Sequence, residues 1–129
     1  MYNGCDRNME VKVQACEQLS KEEINAQLIS QLKAADLEDL FKALANETRL
    51  RILHALSISG EMCVNDLSQA LDMKIQAVSN QLQKLAAYKV VDTRRSGVNI
   101  FYRIIDPCVG VLLERAICML ESSGNETES

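Results

Sequence analysis

Apolar positions recur at helical spacing along most of the chain. Ser20-Lys-Glu-Glu23 has the spacing of a capping box, and Ile24, Leu28, Ile29 and Leu32 follow it on one face, so a first helix is expected over residues 21–35. Asp36 offers a cap for a second helix with Leu37, Leu40, Phe41 and Leu44 as its apolar stripe. Asn46-Glu-Thr48 interrupts that stripe and can cap a third helix, whose Leu50, Ile52, Leu53 and Leu56 turn inward. Gly60 fits the left-handed stop after it. Val64, Leu67, Ala70 and Leu71 give the inner face of a short helix at about 65–71, and residues 72–74 make a turn. Ala77, Val78, Leu82 and Leu85 then give the inner face of a helix at about 75–88.

Beyond that helix the pattern changes. Residues 90–94 and 100–104 read as strands rich in β-formers, joined by a tight loop at 95–99 in which Gly97 is free to take positive φ. Asp106-Pro107 is a helix start, a capping carboxylate followed by proline at the first helical position. The helix it opens, 107–121, is apolar around much of its circumference: Val109, Val111, Leu112, Leu113, Ala116, Ile117, Met119 and Leu120. One core rarely covers so much, so this helix is expected to pack on its own domain and on a twin in a second subunit. Five glycines and one proline argue against a turn-rich all-β fold. The expected fold is mainly α with a small β-hairpin: a winged helix-turn-helix, homodimeric through its terminal helices. Residues 1–18 show no clear period and are expected to be a flexible arm. Residues 19–121 form the DNA-binding and dimerisation domain, and the polar residues 122–129 a disordered tail.

The formal net charge of −4 does not suggest a nucleic-acid binder, and on that ground a winged helix used for protein–protein contact is the alternative of another class. The distribution points the other way. Lys74, Lys84, Lys89, Arg94, Arg95 and Arg103 stand against Asp92 alone between 74 and 103, whereas the stretch from Ile104 onward is net negative. The helix at 75–88 carries Gln76, Ser79, Asn80 and Gln83 on its outer face. Amides can pair bidentately with base edges and hydroxyls can bond bases or phosphates; a merely solvated polar face is the bland alternative. The basic hairpin that follows favours DNA, with Arg94 and Arg95 placed for phosphates or a minor groove. No apolar run approaches a membrane span, and the N-terminus lacks the pattern of a secretory signal, so a cytoplasmic protein is expected. The single histidine, His54, reads as a packing or surface residue. With no Gly-rich phosphate loop and no recognisable carboxylate pair, enzymatic activity is not expected.

The five cysteines are Cys5, Cys16, Cys63, Cys108 and Cys118. An odd number without a CxxC pair argues against a disulfide scaffold. Such thiols serve metal binding or redox chemistry, or pack as small hydrophobes. Cys108 and Cys118 differ by ten residues, which at about 100° per residue leaves them about 80° off a shared face, so one ion within one subunit does not join them.

Taken together, LANETRLRILHAL, GEMCVNDLSQAL, AVSNQLQKL, TRRSGVNIFYRI and DPCV resemble the ArsR/SmtB family of metal-responsive transcriptional repressors. The resemblance covers roughly residues 37–120. It implies a homodimeric winged-helix protein that binds double-stranded operator DNA and releases it when an inducer binds. It makes residues 74–83 the major-groove contact, with Lys74, Gln76, Ser79, Asn80, Gln81 and Gln83 as candidates. Lys74 and Asn80 stand where many relatives have Ser and His. The family places inducers in two regions. In one, Cys63 and Asp66 would be joined by Cys5 and Cys16 from the N-terminal arm, a soft set suited to Cd(II), Pb(II), Zn(II), Cu(I) or trivalent arsenic. Arsenic and cadmium sensors often carry CVCDL there; this chain has Cys63-Val-Asn65-Asp66, so its site needs help from the arm. In the other, on the last helix, Asp106, Cys108 and Cys118 are the alternative candidates, with Met119 and Ser122 where zinc sensors have better ligands. A thiol redox or persulfide sensor of the same fold is the same-class alternative.

Overall fold

Side-chain oxygens fix where the helices begin. The computed structural model describes residues 18–123. Ser20 Oγ accepts from the Glu23 N–H at 3.0 Å while Glu23 Oε1 accepts from the Ser20 N–H at 2.8 Å, so the capping box is formed and opens α1 (Lys21–Gln27). The expected continuous helix to residue 35 is broken at 28–30. Ser30 Oγ accepts from the Lys33 N–H at 3.1 Å and starts α2 (Gln31–Leu44), which places Asp36 inside a helix rather than at a cap. A serine bonded to the backbone ahead of it competes with helix continuation, and the apolar period that runs across the break conceals it. Asn46 Oδ1 caps α3 (Glu47–Ser59) through the Arg49 N–H at 3.0 Å, and Gly60 ends that helix at φ 94°.

The next elements are β1 (Met62–Cys63), α4 (Val64–Leu71) and α5 (Ile75–Ala87). After them come β2 (Val91–Ser96), β3 (Asn99–Ile104) and α6 (Cys108–Ser122). The hairpin is tighter than expected: Ser96 pairs with Asn99, so the loop shrinks to Gly97, at φ 66°, and Val98. The hairpin is also not alone. β1 adds antiparallel to β3, giving a three-stranded sheet in the order β1-β3-β2. A strand as short as Met62–Cys63 carries no readable alternation. Asp106 Oδ1 accepts from the Cys108 N–H at 2.9 Å, and Pro107 already has helical dihedrals, so the expected start of α6 is present. α6 runs one residue into the expected tail. The expected arm, apart from residue 18, and the tail beyond 123 lie outside the described residues.

The core gathers around α3. Ile52, Leu53 and Leu56 from α3 meet Leu67 and Leu71 from α4, Val78, Leu82 and Leu85 from α5, Val90 and Val91 at the head of β2, and Val109 and Leu113 from α6. Each such side chain contributes about 1.5–3 kcal/mol by leaving water. Ala70, expected inside, is exposed. A second set of apolar residues is left half or more exposed: Leu28, Leu32 (79% exposed) and Phe41 on or beside α1 and α2, and Val111, Met119 (69%) and Leu120 (62%) on α6. Among the described residues no helix is long and apolar enough to cross a membrane.

Candidate nucleic-acid interface and thiol site

The angle between α4 and α5 is set by a left-handed residue. Asp72 takes φ 56° and ψ 51°, a conformation that a short polar side chain tolerates. Around it the Met73 N–H donates to Ser68 O at 3.0 Å and the Ser68 hydroxyl donates to Met73 O at 2.6 Å. With Val78, Leu82 and Leu85 buried, helical geometry turns Gln76, Asn80 and Gln83 to solvent and leaves Ser79 at the margin. Gln76 Nε2 donates to Asn80 Oδ1 at 3.2 Å, so the two amides are already aligned along the outer face. Lys74 is the N-cap of α5, is exposed and makes no side-chain cap bond; the first turn carries no acidic residue. That end of the helix, with free N–H groups and an ammonium, suits a phosphate. Gln81 sits apart from this group. It is half-buried, and its Oε1 is enclosed without a hydrogen-bond partner among the described residues.

In the hairpin the two neighbouring arginines differ. Arg94 donates from Nε to Glu61 Oε2 at 3.0 Å and from Nη2 to Glu61 Oε1 at 2.7 Å, and its Cζ lies 5.0 Å from the Phe101 ring centroid. The hydrogen bonds from Arg94 hold the Glu61 carboxyl below its ordinary range, and Glu61 raises Arg94 in turn. Arg95 is exposed and makes no ion pair among the described residues. Arg103 pairs with Asp92 at 3.5 Å, both half-exposed, a contact that solvent screens heavily.

Cys63 is a free, half-buried thiol at the joint between β1 and α4. It is the N-cap of α4 and makes no cap bond. Asp66 is the third helical residue, and side chains at the N-cap and third positions face one another at a helix start. These two could hold part of a soft-ion site. Among the described residues no group of three or more His, Cys, Asp or Glu is placed to hold a metal ion, so further ligands must come from elsewhere. Cys5 and Cys16 lie outside the described residues. On α6 the Cys108 thiol is free and exposed, and its hydrogen bond to Asp106 pushes its pKa up while contacts from Cys108 hold the Asp106 carboxyl down. Cys118 lies ten residues further along the same helix, about 15 Å at 1.5 Å per residue, and among the described residues the free thiols are Cys63 and Cys108.

A family model described as a helix-turn-helix domain matches residues 44–94. A transcriptional repressor SmtB homolog from Synechocystis sp. is 36% identical over 84 residues, covering 65% of this chain and 63% of that protein. The crystal structure of the AntR antimony-specific transcriptional repressor superposes with a TM-score of 0.71 at 48% identity, covering 84% of this chain and 98% of AntR. The chain belongs to the ArsR/SmtB family. Its fold is accordingly the winged helix-turn-helix of that family. The homodimeric winged helix-turn-helix domain of Mb0332 from Mycobacterium bovis, a possible ArsR-family regulator, matches it with a TM-score of 0.62 at 30% identity over 80% of this chain and 99% of that one. Within this ArsR/SmtB chain, Glu61 and Phe101 are the residues that sequence reasoning missed. Glu61 carries the charge opposite to Arg94, but only the strand order β1-β3-β2 brings the two within reach.

Proposed function

We propose that this protein is a homodimeric, non-enzymatic transcriptional repressor of the cytoplasm that releases double-stranded operator DNA when a soft metal ion or trivalent metalloid binds its cysteine thiolates. The observation that carries this reading is the position of Cys63. Cys63 occupies the N-cap position of the first helix of the DNA reader and pairs, through β1, with Phe101 of the wing. A ligand drawn to that thiol therefore acts on the helix-turn-helix and the wing together. The exposed apolar faces of α1, α2 and α6 are the surfaces a second copy would cover.

In the dimer, the outer face of α5 reads bases through Gln76, Ser79, Asn80 and Gln83, and Lys74 and Arg95 meet phosphates. Gln81 contributes through its Nε2, since its Oε1 is enclosed. Cys63 and Asp66 provide the local part of the inducer site, completed by Cys5 and Cys16. We place the inducer there rather than at Asp106, Cys108 and Cys118, because the Asp106 carboxylate is already bonded to the Cys108 backbone N–H, and its hydrogen bond with the Cys108 thiol raises the pKa of that thiol. The 48% identity with an antimony-specific repressor favours a trivalent metalloid, antimony or arsenic, over Cd, Pb, Zn or Cu. A small change of angle at the β1–α4 joint shifts both recognition helices of the dimer, and an operator of fixed half-site spacing then binds less well.

Fluorescence anisotropy on operator DNA, with antimonite, arsenite, Cd(II) and Zn(II) added in turn, tests the reading. Antimonite or arsenite should release the wild type and leave Cys63→Ser bound. A Cys63→Ser protein that responds to every inducer as the wild type does would show the site to be elsewhere.

A further inference from the structure

We propose that Glu61 and Arg94 form a strap that holds the wing to the Cys63 corner and carries the inducer response into the wing, so that Arg94 is a positioning residue and not a phosphate contact. The register of the sheet makes the case. Cys63 of β1 and Arg94 of β2 both pair with Phe101 of β3. Directly opposed residues on neighbouring strands project from the same face, so Cys63, Phe101 and Arg94 form one row across the sheet. The Arg94 guanidinium lies over the Phe101 ring and reaches past it to Glu61, which stands two residues before Cys63. Two N–H groups of the fork are spent on two carboxylate oxygens, an arrangement that fixes orientation as well as distance. Arg95, one residue on, projects from the opposite face and has no such partner among the described residues. The wing's phosphate contact is therefore Arg95.

The regulatory part rests on Cys63 as the inducer site; the positioning part does not. Arginine and lysine separate the two roles, because lysine meets a phosphate as well as arginine does but cannot make the planar fork or stack on Phe101. The experiment measures operator affinity against salt, with and without antimonite, for wild type, Arg94→Lys, Glu61→Gln and Arg95→Gln. Antimonite binding is followed separately by the thiolate–antimony absorbance, and folding by circular dichroism. Arg95→Gln should flatten the slope of log affinity against log salt by about 2 per dimer. Arg94→Lys and Glu61→Gln should leave that slope unchanged and bind antimonite as the wild type does. In both, the antimonite-induced loss of operator affinity should shrink by about two- to fivefold, the reach of an exposed ion pair.

If Glu61→Gln instead tightens the operator and steepens the slope, Arg94 is a phosphate contact that Glu61 restrains, and the strap is wrong. An antimonite effect of wild-type size in both variants overturns the regulatory role. A wild type that neither binds antimonite nor responds to it sinks the Cys63 reading and the regulatory role together, while the slopes still decide whether Arg94 positions the wing.

Discussion

Asn80→Ala removes one amide from the outer face of α5 and should separate reading DNA from folding. Asn80 is exposed, and its one side-chain hydrogen bond is to Gln76 across the same face. A bidentate amide–adenine pair discriminates by about 1–3 kcal/mol, and a symmetric dimer holds two copies, so about 2–6 kcal/mol is at stake. Asn80 Oδ1 must give up Gln76 Nε2 to make that pair, which places the net loss toward the lower end. At about 1.4 kcal/mol per decade the expected loss of operator affinity is about 30- to 1000-fold. Stability should move by no more than about 0.5 kcal/mol, as for other exposed positions. Leu82→Ala is the contrasting variant: Leu82 is 0% exposed on the opposite face of the same helix, and its truncation should cost about 2–5 kcal/mol of unfolding free energy. Anisotropy on a labelled operator at one fixed salt concentration, paired with thermal melts, reads both quantities. A folded Asn80→Ala protein that binds the operator within about twofold of wild type would refute the assignment of this face to base reading.

Other consequences follow from the ends of α6 and its uncovered face. Asp106→Ala should lower the melting temperature, because it removes the acceptor for the Cys108 N–H. The Asp106 carboxyl is held below its ordinary range, so its contribution is complete above the unfolded carboxylate pKa and is lost as pH falls through the lowered folded value; melts should show that loss in wild type and not in Asp106→Ala. Asp106→Asn should speed alkylation of Cys108 at pH 8, measured by mass spectrometry of the modified site, since the carboxylate that raises the thiol pKa, by its hydrogen bond first and its charge second, is gone. Leu120→Glu places a charge on the α6 face where Leu120 is 62% exposed, and sedimentation should show the dimer dissociating while helical content is kept.

The winged helix-turn-helix was legible because its elements carry their own signals. Alternating burial along α5, the Asn46 cap and the Asp106 start are all local patterns, and each is present in the structure. The break between α1 and α2 was not legible, because the apolar period runs through it and only the Ser30 bond to Lys33 marks it. β1 was hidden by its length, and with it the pairing of Glu61 with Arg94, which depends on strand order and not on spacing. The outer face of α5 could be read from helical rotation, with the exception of Gln81, whose Oε1 is enclosed by packing that no single-helix pattern encodes. Cys63 and Asp66 were identified by their resemblance to the family. Their N-cap and third-residue relation came only with the helix boundary at Val64.

If the inducer acts at Cys63 by disfavouring the DNA-bound dimer, then binding of inducer and of operator must oppose one another by the same factor. The direct measurement is the antimonite affinity of the full chain, free and saturated with operator, beside the operator affinity with and without antimonite. The account predicts that operator weakens antimonite by the factor by which antimonite weakens operator, and that Cys63→Ser abolishes both effects. Equal antimonite affinity for the free and the operator-bound protein would contradict it.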